Sequence, residues 1–462
     1  MADTVLDRAR LPGVLFRFAD VFHKAGEQVY LVGGTLRDLL HKAEYTPGED
    51  DFDFATSAQP GKVQKLFKRT IPTGIQHGTV TVLFSGHSFE VTTFRADGHY
   101  SDGRRPDLVS FATSIDEDVR RRDFTINAMA LDLKKLVVVD LFGGMEDLRA
   151  GLIRAVGDPL ERFLEDGLRP LRACRFAGKL GLTIERETFN AIRGALHVFR
   201  QVAVERVREE LLKIMAVPEP SVALEAMRKS GLLDIVLPEL VAGYGIEQNE
   251  YHKYDIYYHN LASCDAADST RPLIRLAALL HDIGKVRARK SALQRNPGAD
   301  AVFYNHEVIG ARMTDRVLRR LRFSNNDRFY IIHLVKHHMF HYTDEWTDGA
   351  VRRLMRNVGV ELLPDLFALR RADRIGNGKK QGPAQSLKKL SRRIEKIKEA
   401  ENAITVRDLK VNGRVLMERF SLGPGPLIGD ILDYLLEQIL DDPEKNEPEE
   451  LIRLAEAFIA LE

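Results

Sequence analysis

The spacing of hydrophobic positions changes once along the chain. Between residue 29 and about 142 the signal is mixed, with short strand-like runs beside helical stretches. The segments VYLV (29–32), DFDFAT (51–56), GTVTVLF (78–84), FEVTTF (89–94) and LVVVDLF (136–142) predict strands. Gly33-Gly34 opens a helical stretch, TLRDLLHK, and the run RRRDFTINAMAL (120–131) reads as helix-like. From about residue 160 the spacing becomes helical almost everywhere, as in FLEDGLRPLRACRFAGKL, VERVREELLKIM, EPSVALEAMRKSGLL, LIRLAALL and DILDYLLEQIL. GNGKKQGPAQS (376–386) predicts a linker, and GPGP (423–426) breaks the last helical region. The fold class expected is α+β: a small head with a mixed sheet and helices, followed by an all-α remainder.

Composition narrows this picture. The 462 residues suggest about three domains, and 44% hydrophobic residues exclude disordered and fibrous classes. Cys174 and Cys264 are the only cysteines, and the start of the chain does not resemble a signal peptide, so a reducing, cytoplasmic setting is expected. No run approaches the length of a membrane span, which predicts a soluble protein with no membrane partner. With 68 basic and 67 acidic residues, net charge gives no global sign of a polyanionic partner. Locally the balance differs: Lys379 to Lys398 holds eight basic residues and one acidic, Glu395, and Arg312, Arg316, Arg319, Arg320 and Arg322 form a second cluster. Such stretches form solvated helix faces or lie along phosphates.

Candidate chemistry begins with Asp51 and Asp53. On a strand this spacing points both carboxylates to one face, with Phe52 and Phe54 in the core behind them. Two parallel hard oxygen ligands suit a pair of Mg²⁺ ions that hold a triphosphate and activate a hydroxyl. Upstream, Gly33 and Gly34 at a helix start, with Arg37, can meet a phosphate. Glu90, on a later strand, offers a third carboxylate. In RRRDFTINAMAL, Phe124, Ile126 and Met129 tie Arg122, Asp123 and Asn127 to the core. Asp166, Arg169 and Arg172 follow in i, i+3 steps, beside Glu165. An acceptor and a donor side by side match cytosine and adenine, whose ring-nitrogen acceptor adjoins an amino donor, and refuse guanine and uracil.

The ordered series GGTLRD, DFDFAT, HGTVTV, FEVTTFR, YSDGRRP, RRDFTINA, DLFGGMEDL and EDGLRPLRACRF resembles the bacterial class II CCA-adding tRNA nucleotidyltransferases of the poly(A) polymerase family. The matches run from about residue 29 to 215 and more loosely to the C-terminus. The resemblance implies a polymerase-beta-like head, a helical neck that holds the base, and a helical body and tail for tRNA. It implies metal binding by Asp51 and Asp53 and triphosphate binding by Gly33, Gly34 and Arg37. Arg122 and Asp123 would place the ribose and phosphates, and Glu165, Asp166 and Arg169 would read the base. The implied reaction is attack of the tRNA 3′-hydroxyl on the α-phosphate of CTP or ATP, with Mg²⁺ as cofactor and release of pyrophosphate.

Eight of the 14 histidines lie between His252 and His341. Within that stretch His306 stands in YNHEVIG, and His337 and His338 in VKHHMFH. The series His259, His281-Asp282 and Asp373 resembles the metal-dependent HD phosphohydrolases, whose imidazole and carboxylate ligands suit a divalent ion that polarises a phosphate. This implies a second divalent metal in the HD domain.

The domains expected are a nucleotidyltransferase head (1–150), a helical neck that binds RNA and nucleotide (151–245), an HD domain (246–378) and a basic linker with a helical tail (379–462). CCA addition to tRNA is the leading function. Its competitors are CC-only or A-only addition, polyadenylation, HD phosphohydrolysis of nucleotide or cyclic phosphate ends, and non-catalytic tRNA binding. The loop RADGHYSDGRRPDLVSF is not shortened, which favours full CCA addition. The sequence leaves the oligomeric state open.

Overall fold

The computed structural model describes residues 7–8, 11–41, 52–95, 111–248, 252–295, 303–379, 385–400 and 405–460. Asp51, loop residues 96–110 and linker residues 380–384 therefore lie outside the described residues. The chain divides into two compact units, Met1–Pro238 and Glu239–Glu462.

The first unit is built on a seven-stranded mixed sheet. Its strands are β1 (Val29–Val32), β2 (Phe52–Thr56), β3 (Thr70–Gly74), β4 (Thr79–Phe84), β5 (His87–Thr93), β6 (Met129–Asp132) and β7 (Val137–Asp140). They are ordered β3-β4-β5-β2-β1-β6-β7, and the β2–β5 pair is parallel while the other neighbours are antiparallel. Alternation along β2 and β5 sends Phe52, Phe54 and Phe89 into the core. There the helix Gly13–Lys24 lays down Val14, Leu15, Phe18, Ala19 and Phe22 at helical spacing. The Phe18 ring sits 4.3 Å from that of Phe89 and 4.8 Å from that of Phe54. A second apolar cluster gathers Val32, Ala55 and Ala130 with Phe94, Val119 and Val156.

Two strands differ from expectation. The helix-like run after Asp123 becomes a short 3₁₀ turn, Thr125–Asn127, and then β6. Met129, Ala130 and Leu131 are all buried, because β6 is an inner strand between β1 and β7. A strand covered on both faces loses its alternation, so it reads like buried helix. The edge strand β3, TIPTG, is mostly exposed and carries little apolar signal.

The rest of this unit is helical apart from a two-stranded pairing of Leu152–Ile153 with Thr183–Ile184. The stretch FLEDGLRPLRACRFAGKL is two helices, Pro159–Glu165 and Arg169–Leu180. Pro170 cannot supply the backbone N–H that an uninterrupted helix would need, and it is pre-shaped for a first turn. Asp166 consequently lies in the break, in extended backbone, and not on a shared helical face with Arg169 and Arg172.

Among its described residues the second unit has helices as its only regular elements. Helix Pro272–Leu280 is buried nearly all round and ends at His281. Helices Ile256–Ala266, Gly284–Arg295, His306–Arg320, Asn325–His337 and Leu363–Gly376 complete the body. Beyond Thr405, helices Gly413–Phe420, Pro426–Asp441 and Pro448–Ile459 enclose their own core around Leu416, Ile431, Leu435, Ile439 and Leu451. Helix Asp348–Val358 meets this tail. Arg353 pairs with Glu437 and Asp441, Arg356 pairs with Glu437 and Asp433, and buried Arg352 donates to the Leu440 carbonyl at 2.8 Å. Among the described residues no helix is long and apolar enough to cross a membrane.

Candidate functional site

β1 runs straight into Gly33, which has φ of +77° and begins the helix Gly33–His41. A Cβ at this position would lie 2.5 Å from Asp53 Oδ2, so only glycine lets the turn close over the β2 carboxylate. Asp53 stands in register with Glu90 across the parallel β2–β5 pair, which brings two of the three expected carboxylates onto neighbouring strands.

From the same turn a chain of hydrogen bonds leads to the neck. Buried Arg37 donates from Nη1 to Asn127 Oδ1 (2.7 Å), and Asn127 Nδ2 donates to Asp123 Oδ1 (3.1 Å). Arg172 Nε donates to Asp123 Oδ2 at 2.8 Å. Burial alone would raise the Asp123 pKa, but the Arg172 charge and the hydrogen bonds from Asn127 and Arg172 outweigh it and hold the carboxyl down at about 2. Arg122 donates to the Asn127 carbonyl at 3.2 Å.

Glu165 accepts from Arg162 and Arg169. Arg169 also donates to the carbonyls of Arg162 (2.7 Å) and Arg121 (2.9 Å). Asp166 accepts from the Leu168 amide (3.0 Å) and from Arg206 Nη2 (2.8 Å). A carboxylate offers about four lone-pair sites and a guanidinium about five donors, so both side chains keep hydrogen-bonding capacity.

These groups line one cleft of about 520 Å³. Its lining includes Gly33, Gly34, Asp53, Asp123, Asn127 and Asp166. Eight cationic side chains also face it: Arg37, Arg95, Arg121, Arg122, Arg169, Arg172, Lys179 and Arg206. Against three carboxylates they give a strongly positive field suited to a polyphosphate. Glu90 and Glu165 are not among the lining residues. Not among the residues expected from the sequence were Arg206 and Lys179, which carry no local motif, and Arg95, which ends the FEVTTFR motif. Asp118 was not among them either; its buried carboxylate accepts from Arg121 and Arg122 and from the Arg95 amide (3.2 Å). The signal for Asp118 was present as i, i+3 and i, i+4 spacing to those arginines.

The second unit gathers a separate cluster. His259 Nε2 lies 3.1 Å from Asp282 Oδ2, 3.3 Å from Asp373 Oδ1 and 3.1 Å from His281 Nε2. All four expected ligands thus lie around His259 Nε2, with His281 Nε2 3.7 Å from Asp373 Oδ1, and donor separations of roughly 3 to 3.5 Å are what bonds of about 2.1 Å to one ion require. Burial opposes the charge on Asp282 and Asp373, yet the surrounding imidazoles, with Lys285 or Arg370, hold both carboxyls well below the usual range. Two histidines not counted as ligands from the sequence join them. His306 Nε2 lies 3.2 Å and His338 Nε2 3.7 Å from Asp282 Oδ1. Gly284 makes this approach feasible, since a Cβ there would stand 2.1 Å from the His306 carbonyl oxygen. A cavity of about 720 Å³ opens onto Asp282, Asp373, His306 and His338.

The basic stretch forms an amphipathic helix, Gln385–Glu399, that buries Leu387, Leu390, Ile394 and Ile397. Lys389 pairs with Asp344 and Arg393 with Asp348. In the arginine cluster, Arg319 pairs with Asp315 and Arg320 with Glu239.

Three family models match the chain in order. They are the poly A polymerase head domain over residues 29–154, the "Probable RNA and SrmB- binding site of polymerase A" over 181–243, and tRNA nucleotidyltransferase domain 2 over 303–455. The chain is 48% identical over 208 residues to the CCA-adding enzyme of Lactobacillus helveticus, which is 44% of this chain and 51% of that protein. It is 48% identical over 209 residues to that of Levilactobacillus brevis, 45% of this chain and 51% of the relative. The chain thus spans about half the length of the curated relatives it matches. It is also similar to the crystal structure of the Bacillus stearothermophilus CCA-adding enzyme in complex with CTP, with a TM-score of 0.69, 27% identity and 97% of each chain covered.

Proposed function

Because the chain belongs to the poly(A) polymerase and class II CCA-adding nucleotidyltransferase family, we propose that it adds C, C and A to the 3′ ends of tRNA from CTP and ATP. One observation carries this reading. A single positively charged cleft gathers the glycine turn, Asp53, the Arg37–Asn127–Asp123–Arg172 chain, Asp166 and Arg169.

In this proposal the Gly33 and Gly34 amides and Arg37 hold the triphosphate at the start of the helix. Arg122 and Asp123 set the ribose and phosphates, and Asn127 keeps their spacing. Asp166 accepts from the exocyclic amino group of C or A while Arg169 donates to the ring nitrogen; Glu165 holds Arg169, and Arg172 holds Asp123. Asp53 and Glu90, with Asp51 from outside the described residues, supply hard oxygen ligands that fit Mg²⁺. Bound there, Mg²⁺ would lower the pKa of the attacking hydroxyl and offset charge on the phosphates. The four-part division into 1–150, 151–245, 246–378 and 379–462 goes with this proposal, and the separate core beyond Thr405 supports a distinct tail. The compartment we propose is the cytoplasm, consistent with Cys174 and Cys264 being buried thiols that form no disulfide.

The test is incubation with tRNA lacking its terminal CCA, using CTP alone, ATP alone and both. Two added residues with CTP and three with both nucleotides are expected. A long A tract, or arrest after two C residues when both are present, would overturn the assignment.

The buried cluster supports a second activity. We propose that His259, His281, Asp282 and Asp373 hold a divalent cation of an HD-type phosphohydrolase acting on nucleotide or cyclic phosphate ends. Loss of hydrolytic ring opening of 2′,3′-cyclic nucleotides to the phosphomonoester in His281→Ala is the expected result, and unchanged ring opening would refute it.

A further inference from the structure

The Phe176 ring lies in the wall of the arginine-lined cleft and is only 5% exposed. It sits on helix Arg169–Leu180 one turn beyond Arg172, which puts both side chains on the same face. Among the described residues, three guanidinium groups lie over this one ring. Arg175 Cζ stands 4.2 Å from the ring centroid, Arg37 Cζ 5.4 Å and Arg172 Cζ 5.6 Å. The Phe124 ring packs against it at 5.7 Å with the two planes at 81°. We propose that Phe176 is a positioning residue for polyphosphate binding, and that its π face assembles Arg37 and Arg172 in the cleft before a ligand arrives. This rests on the reading of that cleft as a nucleoside triphosphate site and goes beyond it by naming what holds its cations.

The three arginines reach the ring from different elements of the fold. Arg37 belongs to the helix that starts at Gly33, where it donates to Asn127 and Asp38. Arg172 lies on the same helix as the ring and donates to Asp123. Arg175 is buried and pairs with buried Glu210 of helix Val204–Met215. It is not among the residues that line the cleft, so it fixes the ring from behind while Arg37 and Arg172 face the cleft.

Electrostatics explains why a ring serves here. Like charges gathered around one group repel one another, and the other cations of the cleft add to that repulsion. A carboxylate in place of the ring would gather the arginines by neutralising charge, and would cancel part of the field that a triphosphate needs. An aromatic face attracts a cation through its quadrupole and carries no net charge, so the guanidinium groups keep theirs. Burial strengthens that attraction by removing competing water. The ordering that a phosphate ligand would otherwise impose on Arg37 and Arg172 is then already complete in the free protein. A leucine would fill similar space with no attraction for either cation, so the π face matters apart from the ring's hydrophobicity.

The experiment replaces Phe176 in the full chain with mono-, di- and trifluorophenylalanine, which keep the ring's shape while draining negative charge from its face. Calorimetry then measures the dissociation constant of inorganic tripolyphosphate. Its logarithm should rise in step with the number of fluorines, reaching about tenfold weaker binding for the trifluorinated ring. Phe176→Leu should weaken binding at least as much. In tRNA extension the fluorinated series should raise KM for CTP more than it lowers kcat. A packing role predicts the same constant for every fluorinated ring, and a flat series overturns the proposal whether or not the chain extends tRNA. A graded series in a chain that binds tripolyphosphate without extending tRNA upholds the role of Phe176 and overturns the nucleotidyltransferase reading. Failure of the parent chain to bind tripolyphosphate overturns the proposal outright. Because the fluorinated rings preserve packing, the outcome does not depend on whether Phe176→Leu folds.

Discussion

Gly33 is the residue on which the arginine-lined cleft turns. Its left-handed backbone and the 2.5 Å gap from a would-be Cβ to Asp53 Oδ2 leave no room for alanine. Gly33→Ala should cost on the order of 1 to 2 kcal/mol of stability. It should also lower cytidine incorporation by about 100-fold, because a displacement near 1 Å at a reacting carboxylate is costly; chemical denaturation and single-turnover extension measure the two effects. Asp123 gives a pH signature. Its folded pKa of about 2 lies below the ordinary aspartate value, so its stabilisation is complete above about pH 4 and is lost as pH falls toward 2. The shift is worth about 2 kcal/mol. Urea midpoints of Asp123→Asn should therefore fall well below those of the parent chain at pH 5, with the gap narrowing as pH falls through 2 and closing by about pH 1.5. Several of these residues were legible as types: an Asp-x-Asp, a Gly-Gly turn and an Asp-x-x-Arg each announce a chemistry. The partners that hold them were not. Arg206 reaches Asp166 from 40 residues away, and His306 and His338 reach Asp282 from different helices, with no periodicity to announce either.

Elements were read well where one period dominated. β2, β4 and β5 alternate in sequence, and Phe52, Phe54 and Phe89 fill one core as the alternation implies. β6 was mistaken for helix because burial on both faces erases alternation, and the Asp166 helix was drawn as continuous because apolar spacing carries through Pro170 although the hydrogen-bond ladder does not. The clasp between helix Asp348–Val358 and the tail helix Pro426–Asp441 separates two kinds of arginine. Arg352 is buried and satisfies a carbonyl in the last turn of the tail helix, so Arg352→Ala should cost about 1.5 to 3 kcal/mol. Arg356 makes more ion pairs but with exposed carboxylates, and its removal should cost about 1 kcal/mol or less. Denaturant unfolding of the two full-length variants ranks them, and equal effects would remove the distinction.

For the molecule as a whole, near-neutral charge conceals two opposed sites. One cleft is crowded with arginine and lysine, and the other centre draws carboxylates and imidazoles around shared oxygens. The two should fail independently. Asp53→Ala should abolish pyrophosphate release while metal content in the second unit stays intact, and His281→Ala should do the reverse; coupled loss in either variant would contradict separate centres. The strand order carries a further consequence for how the protein is made. β1 is flanked by β2 on one side and by β6 on the other, and β6 begins only at Met129. A nascent chain that has emerged only as far as β5 therefore has a hydrophobic strand with one open edge, the kind of edge that recruits other chains. Synthesis passes through a window of stickiness that closes only when Met129–Asp132 slots in beside Tyr30, Leu31 and Val32.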